Sequence, residues 1–182
     1  MELKETYLKG CYIISPRVFY DDRGYFLETF NKNVFFEKTG IIANFVQDNI
    51  SKSSRGVLRG LHFQKGNHAQ AKLVQVIKGS VLDVCVDIRK QSSTFGQYIS
   101  AVLTGENKKQ IYMPRGFAHG FVVLEDETIF SYKCDNFYNQ SSESGIIYND
   151  ETLNIDWQLA KDEFVISKKD EVLLTFKDLF NE

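Results

Sequence analysis

Two of the chain's three histidines stand among apolar residues, His62 in Val57 to Gln64 (VLRGLHFQ) and His119 in Phe117 to Phe121 (FAHGF). An imidazole in such a place is either a core group with a hydrogen-bond partner or a proton-transfer group, since histidine titrates near neutral pH. His62 follows Arg59 by three residues, and His119 follows the turn Pro114-Arg115-Gly116, which leads into a strand and sets the ring at or just inside a rim. The third, His68, lies in the polar stretch Lys65-Gly66-Asn67 and reads as solvated. In Thr128 to Cys134 the two-residue alternation puts Thr128, Phe130, Tyr132 and Cys134 on one strand face. Tyr132 therefore points to the apolar side, as a core aromatic with a bonded hydroxyl or as a weak acid. Arg23 and Glu28, flanking a glycine turn, either pair at the surface or face a polar ligand, and Gln47-Asp48-Asn49 with Arg59 admits the same two readings. A metal site needs about three protein ligands. Two well-placed histidines without a third partner point to a metal-free site.

The elements that must position these residues are mostly strands. Leu73 to Ile88 (LVQVIKGSVLDVCVDI) holds two β-rich runs around Lys78-Gly79-Ser80, which predicts a hairpin. In its second run Leu82, Val84, Val86 and Ile88 alternate with Asp83, Cys85 and Asp87. Further short strands are predicted at Tyr98 to Leu103, Gln110 to Met113, Phe117 to Leu124 and Thr128 to Cys134, with turn residues between them. Such spacing suggests an antiparallel sandwich or barrel. Asn33 is placed to cap a short helix through Val34, Phe35, Phe36 and Lys38 that Gly40 ends, and Ser167 to Asp170 opens a second short segment.

Composition sets the outer limits. A chain of 182 residues with 43% hydrophobic content buries a real core, and its length favours a single domain over residues 1–182. With 22 basic against 24 acidic residues and no basic stripe, nucleic acid is not an expected partner. The three widely spaced cysteines fit neither a zinc site nor a disulfide framework and suggest a reducing compartment. No apolar run reaches the roughly 18 residues of a membrane span, so a soluble, cytoplasmic protein is expected.

The order of the motifs says more than any one of them. Gly105, Pro114, Gly116 and His119 resemble the second motif of the cupin superfamily, whereas the His-x-His and Glu metal ligands of the first motif are absent around His62. Within the cupins, six blocks look like dTDP-4-dehydrorhamnose 3,5-epimerases: Asp22-Arg23-Gly24, Phe45 to Asn49, Val57 to Gln64, Pro114 to Phe121, Asn149-Asp150-Glu151 before Trp157, and Ser167 with Lys169-Asp170. The resemblance runs from about residue 10 to residue 170. It implies an all-β, cupin-type jelly roll with short peripheral helices, no metal and no cofactor, a nucleotide-sugar substrate and a homodimer. It further implies His62 as base, Asp170 as the carboxylate orienting it, Lys72 as the enolate-stabilising cation and Tyr132 as the proton donor. By the same resemblance Arg23, Glu28, Gln47, Asn49, Arg59, His119, Glu143 and Lys169 contact the nucleotide sugar, and Tyr138 stacks on the pyrimidine. Two positions depart from the pattern: Arg115, where an acidic residue is frequent, and Ala71, where glycine is common. These leave open another nucleotide or inversion at one carbon only. The rival readings are a metal-dependent cupin using His62 and His119, and a sugar-nucleotide-binding cupin without catalysis.

Overall fold

The computed structural model describes residues 1–180. In chain order the strands are β1 (Glu2–Glu5), β2 (Tyr12–Ser15), β3 (Val18–Asp21), β4 (Gly24–Leu27), β5 (Gln47–Ser53), β6 (Val57–Gln64), β7 (Lys72–Lys78), β8 (Ser80–Asp87), β9 (Tyr98–Thr104), β10 (Gln110–Met113), β11 (Phe117–Val123), β12 (Thr128–Cys134), β13 (Glu143–Gly145) and β14 (Val165–Ile166). Helix α1 (Lys32–Thr39) precedes β5, and α2 (Phe176–Phe180) closes the described chain.

Two sheets face each other. The first runs β1-β2-β10-β7-β12-β5 and the second β13-β6-β11-β8-β9, with β14 added to β6. Pairings within them are antiparallel except β14 on β6, giving the sandwich that the strand spacing suggested and the jelly roll that the resemblance implied. Between the sheets lies a core that includes Val74, Val76, Val81, Leu103, Phe121 and Phe130. The outer face of the second sheet is covered too: Leu82, Val84 and Val86 pack with Trp157, Leu153 and Phe176 from the C-terminal third. On the outside of the first sheet, Phe35 of α1 meets Tyr112 at 4.9 Å between ring centroids.

The predicted hairpin at Lys78-Gly79-Ser80 does not form. β7 belongs to the first sheet and β8 to the second, so the chain turns a corner there instead of folding back on itself. Gly79 makes the corner possible with φ of 82°, and any Cβ on it would lie 2.2 Å from Thr128 Oγ1. Every residue of β8 is buried, polar ones included, because both of its faces are covered. The alternation in β8 therefore separates an inner face, with Asp83 and Cys85, from an outer apolar face rather than core from solvent. Helix α1 also begins earlier than predicted. Asn31, not Asn33, is its N-cap and accepts from the Asn33 and Val34 amides, while Gly40 ends it at φ of 70° as expected. The segment predicted at Ser167 to Asp170 is one 3-10 turn over Asp170–Val172, and a regular helix forms only at α2.

At the end of β8, Asp87 is fully buried and accepts from the backbone and guanidinium of Arg89 and from the Ser92 and Thr94 hydroxyls, tying down the connection to β9. Burial alone would raise its pKa, but these donors outweigh it and bring the carboxyl down to about 2. A folded-state value below the ordinary one stabilises the fold above the ordinary carboxylate pKa, and that contribution disappears as pH falls through the folded value. For a depression of this size it is about 2 kcal/mol. Asp87→Asn should accordingly lower the melting temperature near neutral pH by several degrees, and its deficit against the parent should shrink as the pH of the melts is taken down toward about 2.

Candidate active site

A cavity of about 540 Å³ opens between the two sheets, lined among others by Arg59, His62, Lys72, His119, Tyr132 and Asp170. That volume is in the range of small-molecule sites. His62 and His119 come from neighbouring strands of the second sheet, where they are direct cross-strand partners on β6 and β11. Lys72 and Tyr132 come from β7 and β12 of the first sheet. The two histidines thus face the lysine and the tyrosine across the gap.

His62 is held by Asp170, with 2.6 Å between Nε2 and Oδ1 across 108 residues of sequence. Two local features deliver the carboxylate. β14 pairs in parallel with the start of β6, Val165 beside Val57 and Ile166 beside Leu58, which lays the late chain alongside the strand that carries His62. Ser167 then accepts from the Asp170 amide through both its carbonyl and its hydroxyl, turning the chain inward. Strand β6 also sits very close to β11: a Cβ on Gly60 would lie 2.5 Å from the Gly120 Cα, so only glycine fits. The Gly60 amide donates to the second Asp170 oxygen at 3.4 Å. Burial pushes the Asp170 carboxyl up, but the bond and charge of His62, the Gly60 amide and Lys169 outweigh it and hold the group ionised below the ordinary range. Nδ1 of His62 makes no hydrogen bond with a described residue and is not a buried orphan, so it opens on the cavity. A histidine whose far nitrogen is fixed to a carboxylate is suited to take a proton on the near one.

Lys72 stands with its ammonium 5.8 Å from the Tyr132 ring centroid. Desolvation lowers its pKa, and the nearby Cys134, Asp83, Cys85 and Glu143 oppose that. Burial raises the Tyr132 pKa, with Cys134 adding to the effect and Arg59 working against it. The phenol stays protonated at neutral pH and is able to donate. Below them, Phe121 and Phe130 stack at 4.2 Å and His119 lies over Phe130 at 6.1 Å, an aromatic floor that keeps water out. His119 is more deeply placed than a rim position: it is 6% exposed, and its Nε2 is 2.8 Å from Oδ2 of Asp83.

A smaller space shares His62, Lys72 and Tyr132 with the cavity and is lined by Gln47, Gln64, Tyr138 and Glu143. Glu143 of β13 joins Lys169 at 2.5 Å and accepts from the Tyr138 hydroxyl at 2.9 Å, so three of the expected binding residues form one connected group. Gln47 accepts from the Tyr138 amide and donates to Asn49, and Gln64 accepts from the Asn139 amide; together they fix the loop that carries Tyr138. Arg59 is exposed and donates to Ser53 Oγ at 3.2 Å. Arg23 and Glu28 are not brought to the cavity within one chain. Both lie at the β3–β4 hairpin, where Arg23 pairs with Asp21 and Glu28 accepts from Asn31. Among the described residues, no group of three His, Cys, Asp or Glu side chains is close enough to hold a metal ion.

Asp83, Gln64 and Ser53 were missed by the sequence reading. Only the alternation in β8 carried a signal for Asp83, and the predicted hairpin obscured it. His68, expected to be solvated, is half-buried in a 3-10 turn over Gly66–His68. The two departures from the family pattern meet at one carboxylate: Asp135 accepts from Arg115 Nε at 2.8 Å and from the Ala71 amide at 2.7 Å. This tie joins the end of β12 to the residue before Lys72.

Comparison with known proteins finds relatives that match nearly the whole chain. The family model for dTDP-4-dehydrorhamnose 3,5-epimerase matches residues 5–178. The dTDP-4-dehydrorhamnose 3,5-epimerase of Escherichia coli K12 is 48% identical over 98% of this chain and 96% of its own. The crystal structure of the dTDP-4-dehydrorhamnose 3,5-epimerase of Elizabethkingia anophelis superposes with a TM-score of 0.95 at 57% identity, over 99% of this chain and 98% of that one. The Legionella pneumophila dTDP-6-deoxy-D-glucose-3,5-epimerase, solved with dTDP-4-keto-L-rhamnose, gives 0.91 at 45% identity over 96% and 92%. With such matches over nearly its whole length, the chain belongs to the dTDP-4-dehydrorhamnose 3,5-epimerase family.

Proposed function

We propose that the cavity between the sheets epimerises dTDP-4-dehydro-6-deoxy-D-glucose at carbons 3 and 5, giving dTDP-4-dehydro-L-rhamnose, by proton transfer alone. The ketone at carbon 4 makes the hydrogens on both neighbouring carbons acidic, so each inversion needs a base on one face of the ring, a stabilised enolate and an acid on the other face. The observation that carries this reading is the placement of His62 on one sheet and of Lys72 and Tyr132 on the other.

In this mechanism Nδ1 of His62 removes the proton and Asp170 balances the imidazolium that forms. Lys72 faces the enolate oxygen; in a water-poor cavity one such charged donor is worth a few kcal/mol of barrier. Tyr132 returns a proton from the opposite face; once the imidazolium has released its proton to solvent and the phenolate has regained one, repetition at the second carbon completes the reaction. Arg59 takes the diphosphate, since its planar donors match two oxygens at once. Gln47 and Asn49 line the path to the nucleotide, where Tyr138 stacks on the pyrimidine and Glu143 and Lys169 accept from and donate to polar groups of the substrate. His119 binds the sugar from the cavity floor.

We further propose that the protein works in the cytoplasm as a homodimer. Its three cysteines are free and buried, and no helix among the described residues is long and apolar enough to cross a membrane. The β3–β4 hairpin leaves Phe19, Tyr20, Tyr25 and Phe26 between 49% and 71% exposed, and β5 is an uncovered sheet edge with Ile50 73% exposed. A second copy covers both, and the same exchange carries Arg23 and Glu28 toward the partner's cavity.

Two tests follow. Incubated with the 4-keto substrate in heavy water, the enzyme should place deuterium at carbons 3 and 5, and no label at either position contradicts the reading. His62→Ala should fold and lose both exchange and inversion by at least about a hundredfold. Tyr132→Phe should keep exchange with retention while inversion falls. For the assembly, light scattering on the eluting protein should give twice the chain mass, and removing the exposed aromatics of the hairpin should yield monomers with weaker substrate binding; a monomeric parent protein rules the arrangement out.

A further inference from the structure

Asp83 is a carboxylate with no exposed surface on the inner face of β8, behind the cavity-lining His119. Only one of its oxygens has a strong donor. Oδ2 meets His119 Nε2 at 2.8 Å, while Oδ1 has just the Cys85 thiol at 3.7 Å. A buried carboxylate is costly unless charge or full hydrogen bonding offsets it. We propose that Asp83 is a positioning residue of the proton-transfer site: it fixes His119 through Nε2 and supplies the buried negative charge against which the Lys72 ammonium stands.

The surroundings of Lys72 leave no other group for that part. Around it are Tyr132 and Cys134 of β12, Asp83 and Cys85 of β8, Glu143 of β13, and the cavity-lining His62 and His119. Burial raises both Cys85 and Cys134, which keeps them neutral thiols. Glu143 is committed to Lys169 and Tyr138, and Asp170 to His62. Asp83 is the carboxylate that remains. His119 is held at Nε2, and its Nδ1 makes no hydrogen bond with a described residue and is not a buried orphan, so the same carboxylate sets which nitrogen of His119 the substrate meets. The cross-strand partners His62 and His119 thus each rest on a carboxylate, and they differ in use. One pair moves the proton. The other holds the oxyanion corner in register.

This inference rests on the proposed roles of Lys72 and His119. Its test is the pH profile of kcat/KM for Asp83→Asn, an isosteric change that removes the charge and keeps an acceptor. The alkaline limb should move down by about one pH unit or more, with turnover falling about tenfold on the parent's plateau, while the acid limb stays in place. A profile lowered equally at every pH, with both limbs unmoved, overturns the proposal. The second measurement needs no variant: with only three histidines in the chain, nitrogen-15 spectra resolve each ring. In the native enzyme His119 should carry its proton on Nε2, and a bare Nε2 with the proton on Nδ1 overturns the proposal even if the Asn variant does not fold. A parent enzyme without proton exchange would instead break the functional reading itself.

Discussion

A carboxylate taken out of water is stable only beside the charge and donors it faces, and Asp170 finds its own in His62, the Gly60 amide and Lys169. Satisfying it requires a segment more than a hundred residues downstream to lie along β6, which β14 achieves by adding a parallel edge to an otherwise antiparallel sheet. It requires β6 and β11 to touch, which glycine at 60 permits. The Ser167 turn, the glycine contact and the packing of Leu58 with Ile166 in the outer core all converge on keeping one imidazole in one orientation.

The sandwich then does for the site what a single sheet cannot. Two facing sheets present groups to opposite faces of a flat ring, and inversion at carbon requires just that separation. In the proposed mechanism the base stands on the second sheet and the cation and the phenol on the first, with stacked aromatics beneath them. Burial holds Tyr132 protonated and draws Lys72 toward neutrality, so the carboxylates around the cavity must be placed to keep that lysine useful. The polar groups of the Tyr138 loop and the Glu143–Lys169 pair lie toward the exposed side, where flexibility costs less than at the reacting carbons.

Much of this was legible in the sequence, for definite reasons. The strands from β7 to β12 followed from β-rich runs and two-residue alternation, as did the inward face of Tyr132, whereas β1 to β6, β13 and β14 carried no such clear pattern. The pairing of His62 with Asp170 was reachable only through resemblance to a family, because no local pattern reports a contact across 108 residues. The corner at Gly79 was misread since a glycine between two β-rich runs looks alike whether the chain folds back or changes sheets; only the structure, by burying Asp83, Asp87 and Ser80 of β8, reveals that both faces are covered. Asn31 outcompeted Asn33 as cap because its side chain reaches two amides of the first turn. Arg23 and Glu28, expected at the site from the resemblance, lie instead at the β3–β4 hairpin, paired with Asp21 and Asn31.

The central claim is that base and acid address opposite faces of one sugar ring. A crystal structure of the enzyme with its dTDP-linked 4-keto sugar bound tests it most directly. The account predicts Nδ1 of His62 next to carbons 3 and 5 on one face, the Tyr132 hydroxyl on the other and the Lys72 ammonium against the carbon 4 oxygen. A sugar with His62 and Tyr132 on the same face, or one lying outside the cavity between the sheets, would contradict it.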